Sequence, residues 1–218
     1  MKISRILPAA AAAMALLTVC SCGDNGAEQR EDTEKGYENP VVEAIMERRS
    51  IRKYQDRPVD RKLLYRIAEC GINAPNAMNA QQWEIRIVDD AEWIDGMSRL
   101  QLESMPEEIS SSMTSDPSFR NTFRNGQALF VVAVKPDGMT LIDAGLLGEN
   151  IMLAAHSFGL GTCCLGSSAR FLTSPAAAEY LDSLQFSEGY EVQYIIACGY
   201  PDETPEAKPR NTEVIKFI

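Results

Sequence analysis

Leu129-Phe-Val-Val-Ala-Val134, the turn at Pro136-Asp137-Gly138 and the apolar run from Thr140 to Phe158 decide the fold class. An unbroken apolar run of β-type residues, with no polar alternation, predicts a strand buried on both faces. The run after the turn is apolar nearly all round through Leu146, Leu147, Ile151, Leu153 and Ala154, which predicts a long buried helix. Gly159-Leu-Gly161 ends that helix, and a short extended piece is expected from Thr162 to Leu165. Val192-Gln-Tyr-Ile-Ile-Ala197 reads as another strand, and Trp83-Glu-Ile-Arg-Ile-Val88 alternates like a half-buried one. Upstream, Asn39-Pro40 starts a helix that ends near Arg49. Asp60 caps a second helix carrying Leu63, Leu64, Ile67 and Ala68, with Gly71 placed to stop it. The order lacks regular βαβ alternation, so the class is α+β and not a doubly wound sheet. Ala91 to Asn125, punctuated by Pro106 and Pro117, reads as short helical pieces able to cover a pocket, with Met97, Met105 and Met113 as gap-fillers.

With 218 residues, 45% hydrophobic and 24% charged, the chain suits one packed domain and not two. A net charge of -10 excludes a sequence-independent grip on nucleic acid, which needs a basic face to displace counterions. At the amino terminus, Lys2 and Arg5 precede the apolar run Ile6 to Val19, too short to span a bilayer comfortably but suited to an export signal. Cysteine directly after such a run resembles a bacterial lipoprotein signal. Cys22, with Val19 three places before it and Ser21 just before it, is the expected lipidated residue, and Cys20 is the alternative. Residues 1–22 are then the signal, the acidic stretch 23–38 a solvated tether, and 39–218 the folded domain. The expected location is the cell envelope, outside the cytoplasm, held to the membrane by a lipid anchor only.

Cys70, Cys163, Cys164 and Cys198 remain in the domain; they are too few for a disulfide scaffold and read as free, buried thiols. His156 alone, with no CxxC pair, does not make a zinc site, and on its apolar helix it reads as a core or interface histidine.

Arg48-Arg49-Ser50-Ile51-Arg52 puts guanidinium groups and a hydroxyl at a helix end, and Lys208-Pro209-Arg210 adds two cations far away in sequence. Arginine forks suit phosphate oxygens, and the two clusters together would enclose a single phosphate. The run Glu47-Arg-Arg-Ser-Ile-Arg-Lys-Tyr54, the loop Ala74-Pro-Asn-Ala-Met-Asn-Ala-Gln-Gln-Trp83, the turn Gly159-Leu-Gly-Thr-Cys-Cys-Leu-Gly166 and the ending Gly199-Tyr-Pro201 with Lys208-Pro-Arg210 resemble, in order and spacing, the nitroreductase family.

That resemblance implies a three-layer α+β fold with a central mixed sheet flanked by helices, and C-terminal segments exchanged in a homodimer. It also implies FMN at the dimer interface. Arg48, Arg49, Ser50, Lys208 and Arg210 match phosphate positions, and Arg52 matches a basic position on the pyrimidine side of the flavin. Pro75, Asn76, Ala77, Asn79 and Gln81 match a loop that the second subunit lays beside the ring. Cys164, Leu165 and Gly166 match a backbone turn near flavin N5. No side chain of the protein is expected to be catalytic, because the cofactor carries the chemistry. The implied activity is ping-pong hydride transfer from NADH or NADPH, through N5, to an electron-poor acceptor such as a nitroaromatic or quinone. Nicotinamide nucleotides are scarce outside the cytoplasm, so the rival readings are a flavoenzyme with another donor or a specialised substrate, and a tethered flavin-binding protein without turnover. The chain departs from the family pattern at Asn76, Gln82, Cys164 and Glu149, the last standing where an uncharged amide is usual.

Overall fold

The strand Ala128–Val134 (β2) is fully buried along its length, and its alternate residues feed two separate cores. Leu129 and Val131 face one, with Ile94, Met97, Leu172 and Ile195; Phe130, Val132 and Val134 face the other, with Leu64, Ile67, Leu147 and Ile151. This is why β2 shows no polar alternation: neither face meets water. In the computed structural model, residues 39–136 and 139–218 are described, and the expected signal and tether, 1–22 and 23–38, lie outside the described residues.

The sheet has the order β1-β2-β4-β3, with β1 at Trp83–Val88, β3 at Gly161–Leu165 and β4 at Glu191–Gly199. All three pairings are antiparallel. The mixed character expected of the sheet is confined, among the described residues, to one parallel bridge between Ser50 and Thr162.

Among the described residues seven helices flank this sheet: α1 (Pro40–Glu47), α2 (Arg61–Ile72), α3 (Ala91–Glu103), α4 (Glu107–Thr114), α5 (Thr140–Ser157), α6 (Gly166–Leu172) and α7 (Ala178–Ser183). The Asp60 carboxylate caps α2 by accepting from the Lys62 and Leu63 amides. Gly71 does not stop α2. It lies within the helix, where a Cβ would stand 2.6 Å from Ile151 Cγ1, so its role is the close crossing of α2 over α5. Asn150 Nδ2 donates to Cys70 O at 3.2 Å at the same crossing.

The long helix α5 is buried on the face carrying Ala144, Leu147, Ile151 and Ala155, yet Leu141 and Ile142 are each 58% exposed. The all-round apolar pattern therefore marks one face in the core and a second face left open. The short α6 and α7 were not anticipated from the sequence: six or seven residues carry too little periodicity to read. No helix among the described residues is long and apolar enough to cross a membrane.

Candidate functional site

The segment after α1 leaves the helix and runs as extended chain between β3 and the residues that follow β4. Ile51 N–H donates to Thr162 O at 2.9 Å, and Ser50 pairs with Thr162 as the parallel bridge. On the other side, Gln55 N–H donates to Tyr200 O and Asp202 N–H to Lys53 O, both at 2.9 Å, while Tyr54 bridges Pro201. The Arg52 amide donates to the Glu203 carboxylate. Gly161 permits this approach, since a Cβ there would lie 2.6 Å from Ile51 Cγ1.

Tyr54 fastens the far end. Its buried hydroxyl donates to Ile51 O at 2.7 Å, and burial, with Cys163 and Cys198 nearby, drives its pKa far above the ordinary phenol value. It therefore acts as a neutral donor at any physiological pH.

The arginines do different work. Arg49 turns back to donate from Nη1 to Met46 O at 2.6 Å and Arg48 O at 2.8 Å, closing the carbonyl end of α1 where cations are favoured. Arg52 leans on Ser50 O at 3.3 Å. Arg48 donates no side-chain hydrogen bond among the described residues, although its side chain is only 22% exposed. Its one ionic neighbour among the described residues is Glu149 on α5, 3.7 Å from Nε. A half-buried guanidinium with unfilled donors is a receptor for an oxyanion.

Arg48 and Arg49 line a cavity of about 470 Å³ with Glu47, His156, Thr162 and Glu203. Its size is in the range of small-molecule sites, about 300 to 1,000 Å³. His156 is half-buried at this wall and not in the core. Another cavity, about 540 Å³ between α3 and residues 120–127, touches none of the motif residues, and its Arg120 is engaged by Tyr54 O and Asp56.

The loop at Pro75, Asn76, Ala77, Asn79 and Gln81 is a strained and largely exposed turn. Met78, Asn79 and Gln81 have φ of 55°, 53° and 50°, a region costly for residues with a Cβ. Asn76 Oδ1 closes the turn by accepting from Gln81 N–H at 2.9 Å. Its base is held by Asp143 of α5, 7% exposed, whose two oxygens lie 3.3 and 3.2 Å from Ala77 N.

Cys164, Leu165 and Gly166 form the junction of β3 and α6. Cys163 faces the core and Cys164 is exposed, so only the first fits the expectation of a buried thiol. Desolvation raises both thiol pKa values, and Cys198 is pushed up to about 12 by burial. A raised thiol pKa leaves little thiolate near neutrality, which disfavours nucleophilic or redox work there. Among the described residues no cluster could hold a metal ion.

The structure brings Arg48, Arg49 and Ser50 to Thr162 of β3, four residues short of Gly166, and sets Arg52 beside Glu203 through its amide. Lys208 and Arg210 are not brought to them by any hydrogen bond or ion pair among the described residues. They sit on the exposed tail, joined to each other by Arg210 Nη1 to Lys208 O at 3.4 Å. Asp143 and Glu203 were not singled out from the sequence. An acid within an apolar helix was a readable signal for Asp143; Glu203, one acid among several near the C-terminus, offered none.

Residues 45–200 match the model of the Nitroreductase family. The chain belongs to this family. A solved nitroreductase with bound FMN from Desulfitobacterium hafniense superposes with a TM-score of 0.73 at 26% identity, covering 83% of this chain and 99% of that one. The NADPH-flavin oxidoreductase of Vibrio harveyi is 27% identical over 186 residues, 79% of this chain and 70% of its own. A relative in Methanothermobacter thermautotrophicus is 34% identical over 127 residues, 58% of this chain and 60% of its own length.

Removing the Asp143 carboxylate frees the base of the strained loop. In Asp143→Ala, the amides of residues 76–81 are expected to exchange with deuterium at least about tenfold faster, the core strands being unchanged. Unchanged loop exchange would show that Asp143 does not hold it.

Proposed function

We propose that this chain is an FMN-dependent oxidoreductase that draws electrons from NADH or NADPH and passes them to a small electron-poor acceptor. The observation that carries the reading is Arg48, half-buried at a cavity wall with unfilled donors, in the segment that Ile51 ties to β3. FMN bound there would supply the redox chemistry, two-electron transfer between NADH or NADPH and a nitroaromatic or quinone.

The protein's part is binding and polarity. Arg48 and Ser50 would hold the phosphate, and Lys208 and Arg210 on the exposed tail would join them. Arg52, its amide fixed by Glu203, would supply a cation to stabilise the negative charge of the reduced flavin. The backbone of Cys164, Leu165 and Gly166 would position the ring edge, and the Asp143-tied loop would lie beside the ring of the partner subunit's cofactor.

Homodimerisation accounts for the apolar surface. No residue of α1 is buried; Met46 is 68% exposed, Phe217 103% and Ile218 119%. Side chains of this kind left in water are a stated cost that a partner's surface removes. The sequence of residues 1–38 supports export and lipid attachment at Cys22, with Cys20 as the alternative.

Anaerobic addition of NADH or NADPH to the FMN-loaded protein is expected to bleach the flavin absorbance, and a nitroaromatic or quinone to restore it. Tight binding without bleaching by either nucleotide would point to another donor; no flavin binding would overturn the site. Deleting residues 212–218 is expected to convert a dimer to a monomer in sedimentation and to lose FMN with it, and a stable truncated dimer would refute the exchanged tail. Expressed with its signal, the protein is expected to carry lipid by mass spectrometry, and Cys22→Ala to lack it; lipid retained on that variant would move the attachment to Cys20.

A further inference from the structure

Glu149 stands apart from the other carboxylates of the domain because it is the ionic neighbour of Arg48. The pair joins the end of α1 to α5, and its N to O distance of 3.7 Å is that of a charge contact and not of a hydrogen bond. Arg48 is therefore electrically answered while its donors stay unfilled. The cavity wall repeats this balance. Glu47 and Glu203 line it together with Arg48 and Arg49, and Glu203 is also the acceptor for the Arg52 amide. Two guanidinium groups and two carboxylates thus line the cavity, and Glu149 stands beside Arg48, so this wall offers a phosphate directed donors but little surplus of positive charge.

An arriving phosphate carries about two negative charges at neutral pH. Each gain from Arg48 is then offset by repulsion from Glu149 across the same guanidinium. We propose that Glu149 is an affinity-setting residue for the flavin's phosphate: it neutralises Arg48 when no phosphate is present and loosens the hold on a phosphorylated flavin, keeping that flavin exchangeable. The proposal rests on the phosphate site of the preceding section. It differs from a simple structural role because it concerns only ligands that carry the phosphate. Riboflavin, which has the ring and the ribityl chain but no phosphate, feels no such repulsion.

The test is a titration of the flavin-depleted, full-length protein with FMN and with riboflavin, followed by flavin fluorescence, for the wild type and Glu149→Gln. Glutamine keeps the length and an acceptor oxygen and removes only the charge, and the side chain of Glu149 is 46% exposed, so the fold is retained. Glu149→Gln is expected to bind FMN about fivefold more tightly, the scale of one exposed unit charge acting on a dianion. Riboflavin binding is expected to be unchanged, and the FMN difference to shrink as salt is raised. Unchanged or weakened FMN binding in the variant, with normal binding by the wild type, would overturn the role of Glu149 alone, as would equal tightening of both flavins. A wild type that binds neither flavin, or binds both equally, would overturn the phosphate site and this proposal together.

Discussion

The hydrogen bond from Ile51 N–H to Thr162 O, 2.9 Å long, ties the arginine segment to the sheet, and the site is built outward from it. It forms only because Gly161 has no side chain: the space a Cβ would need is filled by Ile51. Once Ile51 is seated, Ser50 pairs with Thr162, Tyr54 turns inward to donate to Ile51 O, and the residues after β4 close on the other side. Arg48 and Arg52 are then held at the two ends of a short extended strap whose backbone is satisfied from both flanks. Neither guanidinium is positioned by its own contacts alone. The strap positions them, and the sheet positions the strap.

That sheet is rigid because it is buried on both faces. β2 carries the separation of the two cores within itself, one alternate set of residues to each side. The polar groups of the site lie where this packing ends: at the start of β3, at the end of β4, and on the open face of α5. Asp143 illustrates the coupling. It sits on a helix whose Ala144, Leu147 and Ile151 pack in the core, and it projects a carboxylate to the base of a loop whose backbone is strained at three residues. The scaffold offsets that strain through a hydrogen bond that a less fixed helix would not hold in place.

Much of the fold was legible in the chain. The apolar runs at Leu129 to Val134 and Val192 to Ala197 are strands, the alternation at Trp83 to Val88 is a half-buried strand, and Asp60 caps the helix it precedes. The arginine segment, the loop at Pro75 to Gln81 and the turn at Cys164 to Gly166 were also legible, since their residue types and order carry the family resemblance later matched over residues 45–200. Less could be read where one pattern serves two ends. Gly71 has the position of a helix stop but acts as a crossing point, and the all-round apolar α5 covers a core on one side and faces outward on the other. Arg49, expected beside Arg48 at the phosphate, lines the same cavity and also closes the end of α1 through Nη1.

By itself the sequence determined the longer strands and helices and the period of each, because those depend on neighbours within a few positions along the chain, and it marked the residues expected to meet a phosphate. Only the tertiary structure decided which of those residues share a wall. It set Glu149 against Arg48, Glu203 against the Arg52 amide and Asp143 against the Ala77 amide, pairs separated by about one hundred residues, one hundred and fifty and sixty-six. No local period encodes such pairings. They follow from how the elements pack, and Glu149 and Glu203 reach the arginine segment across that packing.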